Sequence, residues 1–580
     1  MTHSMATFTI PNSQGQTRQN NRSETMGELL ESFNLDLNKK LGKINTSKKL
    51  LKVLDAVTHL GSSDVIAFEF YKNFYYVLTN EELYRCSGNA NPTVAANWSE
   101  VTQVNSAVSG ISDLVVFNDF LLISNGSNAI YSWNGSAFAN NWSTGKLTTT
   151  DADFAQMHVW RGSGDWLFVA SNNKIHYYNA TAGEYIITLP ADQVVTCFSS
   201  GVSRTWVGTT STSGGNAFVY EVLPGSVTDV LSDTGAVVAT VPRPENAFEI
   251  EGTAVMSLEV IDNVPHAITE QGNIQAFNGA GFKTIVSFPF ANTTETIGTN
   301  SVHPKGMVSY NNSLYINIST QRRIGNFNDY VLGCPSGIWE YNKLTGQLTH
   351  RFAFVNLDVN NGALETARVT SGPISIIDNE YALLLAGAEV GAETGGTSGM
   401  FADIGSQYGW FKTIEIESDS VADIYEAVYA KVKTMATGES VVVKYRILKL
   451  DSVFASGTLA TPTTFNTTED LSAITPNSDG LYDWELTDIH TGRVAQVVSV
   501  VQSASTYSVT VDQAIGTADT LVRAEFQNWT QSATSYQPED GEVKQLGGFG
   551  TNPWIQFKVY LNGAIEMRQF MVKSNNKHGV

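Results

Sequence analysis

From about residue 60 onward, apolar and polar positions alternate with a period of two, in short runs separated by clusters of Asn, Gly, Ser and Thr. That pattern predicts half-buried β-strands joined by tight turns. Within it a unit recurs: Ile, two residues, an aromatic, then Asn. It stands at Ile130-Tyr-Ser-Trp133-Asn134, Ile175-His-Tyr-Tyr178-Asn179, Ile274-Gln-Ala-Phe277-Asn278 and Ile338-Trp-Glu-Tyr341-Asn342, with Gly135, Gly279 or Gly346 soon after three of the four. Each copy follows a second strand and a polar turn, as in residues 120–133, 166–178 and 266–277. Looser copies lie at 75–86, 205–222, 313–319 with 337–341, and from 381 to 389. The aromatic-to-aromatic spacing is 178 − 133 = 45 and 220 − 178 = 42 residues. A four-stranded propeller blade takes roughly 40–50 residues. Seven such hairpins predict a β-propeller of about seven blades over residues 60–410. The competing reading, aromatic-Asn-Gly as the ordinary end of hairpins in a sandwich, demands an oversized sandwich with a near-constant period.

The period is lost after residue 410, where alternating strands continue to the end of the chain. Residues 411–580 are expected to form a β-sandwich or jelly-roll domain, with a small β insertion near 484–530. The opening of the chain differs from both. Residues 1–22 are polar and read as an unfolded arm. Thr25 and Glu28 fit a capping box, and Leu29, Leu30 and Phe33 share one helical face, so a short helix is predicted there. Residues 1–59 thus read as a partly helical docking arm. Leu29, Leu30, Phe33, Leu35, Leu37, Leu41 and Ile44 are its expected assembly interface. They are too few for a core of their own and too many to leave in water.

Composition sharpens this picture. With 580 residues, two or three domains are expected. Charged residues make up only 16%, so Ser, Thr, Asn and Gly must supply the polar surface, which suits sheets with many turns. The first 60 residues hold 8 Lys/Arg and 5 Asp/Glu, net +3; the other 520 hold 27 and 51, net −24. An acidic body of this kind lets nucleic acid pass without sticking, because binding rests on neutralised phosphates. Acidity that serves solubility alone is the plainer alternative.

Candidate chemistry is sparse. Cys86, Cys197 and Cys334 are far apart and show no C-x-x-C pair, so neither a disulfide framework nor a zinc site is expected. The nine histidines show no metal-ligand spacing. No Walker loop, G-x-S-x-G elbow or calcium loop occurs. Asp113, Asp165, Glu221, Glu270 and Glu340 cannot be paired as glycosidase carboxylates from sequence. Ser478-Asp479-Gly480…Trp484 is a single, misspaced relative of the sialidase box. The expectation is therefore a protein that is not an enzyme, with no catalytic residues, no cofactor and no metal. No apolar run is long enough to span a membrane, and no secretion signal is visible.

The polar arm, the phrase Asn34-Leu-Asp-Leu37…Leu41-Gly-Lys-Ile44…Ser47, the Asn/Gly-rich blades and the terminal strand Trp554-Ile-Gln-Phe-Lys558 together resemble the tail nozzle, or tail tubular protein B, family of short-tailed bacteriophages. The resemblance implies a virion structural protein, assembled in the host cytoplasm into a tail ring, usually a hexamer. Its partners would be copies of itself, an adaptor and fibres, with phage DNA passing through the lumen without specific binding. Two other classes stay open: a receptor- or glycan-binding fibre or lectin-like module, and a propeller glycoside hydrolase.

Overall fold

The computed structural model describes residues 29–37, 43–55, 64–79, 81–105, 112–150, 152–162, 164–224, 226–231, 237–288, 302–319, 322–324, 327–329, 337–355, 368–377, 383–392, 395–413, 416–417, 424–433, 435–446, 453–488, 494–516, 518, 521–533, 542–545 and 554–575. Among them the structure is nearly all strand, with one helical turn at Thr102–Asn105 and one 3-10 turn at Ala95–Asn97. Six antiparallel four-stranded sheets follow one another along the chain, and a seventh, mixed sheet follows them, with Phe354–Val355 parallel to Leu50–Asp55 at its edge. Their first strands are Val65–Tyr71, Asp113–Phe117, Met157–Trp160, Gln193–Ser200, Val255–Ile261, Val302–Tyr310 and Arg368–Ile377. Each first strand lies against the next one, and Arg368–Ile377 lies back against Val65–Tyr71, so the ring closes as a seven-bladed β-propeller. The second strands are sandwiched between neighbouring blades and are largely buried, Trp166–Ser171 along its whole length. First strands alternate instead, as in Gln193–Ser200, where every other residue is buried.

Trp133, Tyr178, Phe277 and Tyr341 occupy the same place in four blades, at the end of the third strand. The Asn that follows each explains the repeat. Its side-chain oxygen accepts two backbone N–H groups across the turn to the outer strand: Ser136 and Ala137 for Asn134, Thr181 and Ala182 for Asn179, Ala280 and Gly281 for Asn278, Leu344 and Thr345 for Asn342. Asn is the residue whose short carbonyl can cap a turn in this way. Gly135 and Gly279 sit just inside it at φ 95°, which a side chain rarely adopts.

The seventh blade departs from the expected boundary. Its three chain-consecutive strands, Arg368–Ile377, Leu383–Ala392 and Gly395–Ala402, are completed by Leu50–Asp55, which pairs antiparallel with Gly395–Ala402. The ring is thus closed by a strand from the opening of the chain, not from residues 60–410 alone. The opening segment is also not helical where it is described: Leu29–Phe33 is a strand, paired with Tyr408–Thr413. Thr25 and Glu28, the expected helix cap, lie outside the described residues. The apolar positions that lie on one face of a helix at spacings of three and four also fit a strand when an adjacent sheet edge is open, and tertiary pairing wins.

Beyond the propeller, two sheets pack face to face. One has the order Leu29–Phe33, Tyr408–Thr413, Trp554–Asn562, Ser440–Arg446, Thr530–Ala533, with Ile416–Glu417 also on Trp554–Asn562. The other runs Leu35–Asp36, Ile44–Thr46, Glu566–Asn575, Ile424–Val432, Glu542–Gln545. Their shared core holds Leu35, Ile44, Phe411, Val443, Phe557, Leu561 and Phe570. Between the sandwich strands Ser440–Arg446 and Thr530–Ala533 the chain forms a closed six-stranded barrel from Val453 to Asn528. The expected insertion near 484–530 is therefore the second half of a larger one. Its first two strands carry the same alternation as the sandwich strands before them, so periodicity alone does not mark where the barrel begins.

Candidate functional site: the propeller axis

The first strands line the axis of the propeller, and each contributes side chains to it. Glu69 comes from the first blade, Asp113 from the second, His158 from the third, Ser199 and Ser200 from the fourth, Glu259 from the fifth, His303, Lys305 and Ser309 from the sixth, and Ser371 from the seventh. Glu259 accepts hydrogen bonds from Ser309, through the backbone N–H at 3.1 Å and the hydroxyl at 2.7 Å. His158 Nε2 meets Ser200 Oγ at 2.8 Å.

Glu69, His158, Glu259 and His303 keep some surface yet lie deep among protein atoms, Asp113 is buried, and desolvation dominates the ionisation of all five. Burial pushes Glu69 up to about 7, against the opposing pull of Lys305. Burial likewise raises Glu259 to about 7, with the Ser309 bonds opposing. His158 and His303 are both pushed down to about 3 by burial, assisted by the charge of Lys305. Asp113 is raised by burial although Lys305 pairs with it. Burial thus favours the neutral forms of His158, His303, Glu69 and Glu259 along the axis.

One strand departs from the regular ring. In Val302–Tyr310 the register to the neighbouring strand jumps between Val302 and Met307, so residues 303–306 bulge inward. His303 Nδ1 accepts the Lys305 N–H at 3.1 Å, which fixes the neutral tautomer. Gly306 is required there, since a Cβ would stand 2.8 Å from the His303 carbonyl oxygen. The Lys305 ammonium reaches the second blade, where it pairs with Asp113 and donates to the Leu114 carbonyl at 2.8 Å. Sequence reasoning passed over this bulge. The signal was Pro304 and Gly306 inside an apparent strand, a combination that an inner strand tolerates only as a bulge.

The seven residues expected to form an assembly interface are placed differently. Leu35, Leu37 and Ile44 are buried in the sandwich core, and Phe33 packs with Ala353, Trp410 and Tyr560. These four are thus interior residues of their own chain, which corrects the docking-arm expectation. The propeller and the sandwich between them offer open sheet edges and an apolar face, which the segment fills. Leu29 and Leu30 belong to the strand on Tyr408–Thr413, and Leu41 lies outside the described residues.

The polar members of the same phrase join the two bodies. Asn34, at φ 55°, donates to the Ser47 and Tyr408 carbonyls at 2.9 and 2.5 Å, and its oxygen accepts the Ala353 N–H at 3.0 Å. Its own backbone N–H donates to His350 Nδ1 at 3.0 Å. Asp36 pairs with Arg351 at 2.8 Å, and Arg351 also reaches Glu340 and the Ser47 hydroxyl.

The five carboxylates singled out from sequence are not brought together. Asp113 faces the axis, Glu221 pairs with Arg204, Glu270 accepts the Thr253 and Ala254 N–H groups, and Glu340 meets Tyr315 and Arg351. The Asp165 carbonyl accepts from Asn179 in an exposed turn. Asp479 and Gly480 lie in a barrel loop, where Asn477 caps the turn by accepting the Asp479 and Leu481 N–H groups. Among the described residues, no three His, Cys, Asp or Glu side chains are grouped to hold a metal ion, and no helix is long and apolar enough to cross a membrane.

No protein-family model matches the chain, and no curated protein matches it. Solved structures similar to it include virginiamycin B lyase from Staphylococcus aureus, at 9% identity and TM-score 0.37 over 61% of this chain and 98% of that one. The Neurospora crassa Pan2 WD40 domain matches at 10% identity and TM-score 0.34, over 60% and 90%. The computationally designed Ika8 protein matches at 10% identity and TM-score 0.37, over 61% and 99%.

Proposed function

We propose that this chain is a non-enzymatic structural subunit of a phage tail, a nozzle protein that assembles with copies of itself into a ring through which DNA leaves. The observation that carries the reading is the weave of residues 29–55. This segment gives one strand to one sandwich sheet, two to the other and one to the seventh blade. Propeller and sandwich therefore cannot separate without breaking sheet hydrogen bonds and the Asn34 and Arg351 contacts, and a subunit under mechanical load in an assembly needs such a joint. The charge supports the same reading: a body of net −24 outside the first 60 residues suits a lumen that DNA slides past. An adaptor and fibres are the neighbours this function requires, and the virion tail is the place.

The reading is tested by the mass distribution of the purified chain in solution, with a glycan array run beside it. A closed oligomer, six subunits being the expected number, with no sugar retained supports it. A monomer or trimer that binds a defined glycan replaces it with the lectin-like reading. Reproducible turnover of a polysaccharide replaces it with a hydrolase.

A further inference from the structure

We propose that residues 303–306 form a strap that closes the propeller axis, latched by Lys305 on Asp113, and that the strap swings off the axis when the latch is broken.

The strap crosses between blades that are not neighbours. Lys305 belongs to the sixth blade and Asp113 to the second, with the seventh and first between them on one side of the ring. A side chain that joins them passes over the axis. Both ends are held by further bonds. Pro304 O accepts the Ser257 hydroxyl of the fifth blade at 2.8 Å, and the His303 N–H donates to Ser371 Oγ of the seventh at 2.9 Å. Asp113 is oriented by its own neighbours, accepting the Leu114 N–H at 2.7 Å and the Met157 N–H of the third blade at 2.6 Å. The strap and its anchor thus touch five blades, the sixth and second through the ion pair and the fifth, seventh and third through hydrogen bonds.

What makes it a latch rather than filler is its composition. In the crossing piece four residues, 303–306, stand opposite Asn317 alone and pair with no residue of Ser313–Ile318, so its release breaks no ladder pair to that strand. Lys305 is held by charge: Asp113 of the second blade pairs with it, and Glu69 of the first blade attracts it. Arg161 and His158 of the third blade and His303 of the strap also face this centre. Asp113 is the paired anion in this set, and removing its charge leaves the partly exposed Lys305 ammonium without its main partner, which favours its moving to water. The inference holds whether or not the chain assembles into a ring.

The test is hydrogen exchange of the full chain, read by mass spectrometry on peptides covering Val302–Tyr310, Asp113–Phe117 and Met157–Trp160. Asp113→Asn and Lys305→Met should each speed exchange in these peptides at least tenfold, and the double variant should add nothing. Peptides from outer strands, such as Gly183–Thr188, should be unchanged. Lys305→Arg, which keeps the cross-axis charge, should retain protection. Unchanged exchange in the neutral variants overturns the latch. So does equal acceleration in every blade, which marks a general loss of stability. Should a neutral variant fail to fold, Lys305→Arg decides alone: protection kept supports the latch, and protection lost overturns it.

Discussion

At the scale of single residues, Asn34 shows how much one side chain can hold. Its amide makes three bonds, two into the sandwich side and one to Ala353 on the propeller side, from a left-handed backbone that Asn tolerates better than other side chains. Asn34→Leu leaves those buried partners unpaired and strains the backbone. The variant should lose about 3 kcal/mol or more, read as a lower urea midpoint. The turn-capping residues are individually smaller: Asn278→Ala removes two acceptor contacts at an exposed turn and should cost about 1 kcal/mol. The axis adds a pH signature. Glu69 and Glu259 are held protonated up to about pH 7 in the fold against 4.5 when unfolded, so their cost to stability grows as pH rises from 4.5 to 7. His158 and His303 stay neutral down to about 3 against 6.5 when unfolded, so their cost grows as pH falls below 6.5. The two slopes oppose each other between 4.5 and 6.5. Glu69→Gln should therefore stabilise relative to the parent at pH 8 and bring no gain at pH 4, measured as urea midpoints at both. Much of this scale was legible in sequence. The aromatic-Asn motif was visible because a turn repeats its chemistry locally. The axis was not, because Lys305 and Asp113 are 192 positions apart and only ring closure brings them together.

At the scale of elements, the strand Leu50–Asp55 governs. It is the fourth strand of the seventh blade, with Phe354–Val355 paired parallel on its outer side, and its Leu50 and Leu54 are fully buried. Leu54→Ala should cost about 2–5 kcal/mol. Deleting residues 1–55 should do more than release a docking segment: it removes one strand from one sandwich sheet, two from the other and the strand that closes the ring, and the trimmed chain should aggregate or unfold rather than remain a soluble monomer. Far-UV circular dichroism and sedimentation of the trimmed chain check this. The segment was misread because its apolar spacing permits a helix, and pairing with sheet edges over 300 residues away leaves no local trace. The barrel is the opposite case. Its core, including Leu459, Phe465, Trp484, Leu486, Val509 and Phe526, is drawn from its own strands, so a fragment of residues 451–529 should fold alone. In the full chain it is fastened to the sandwich by Glu485, which takes Lys444, Lys558 and the Tyr560 hydroxyl. Those cations hold Glu485 down at about 2 against the cost of burial.

At the scale of the whole molecule, two closed bodies, propeller and barrel, flank a sandwich into which the start and end of the described chain are both woven. The repeat period led to the blade count because each blade is one local supersecondary unit. It could not lead to the weave, which is a property of the complete chain. The structural-subunit reading makes its sharpest claim at this scale, and electron microscopy of the purified full-length protein tests it most directly. Class averages should show closed rings of identical subunits with a central lumen, each subunit carrying a propeller whose own axis is blocked. Dispersed single subunits, or rings whose only continuous channel runs through the propeller axis, would contradict the account.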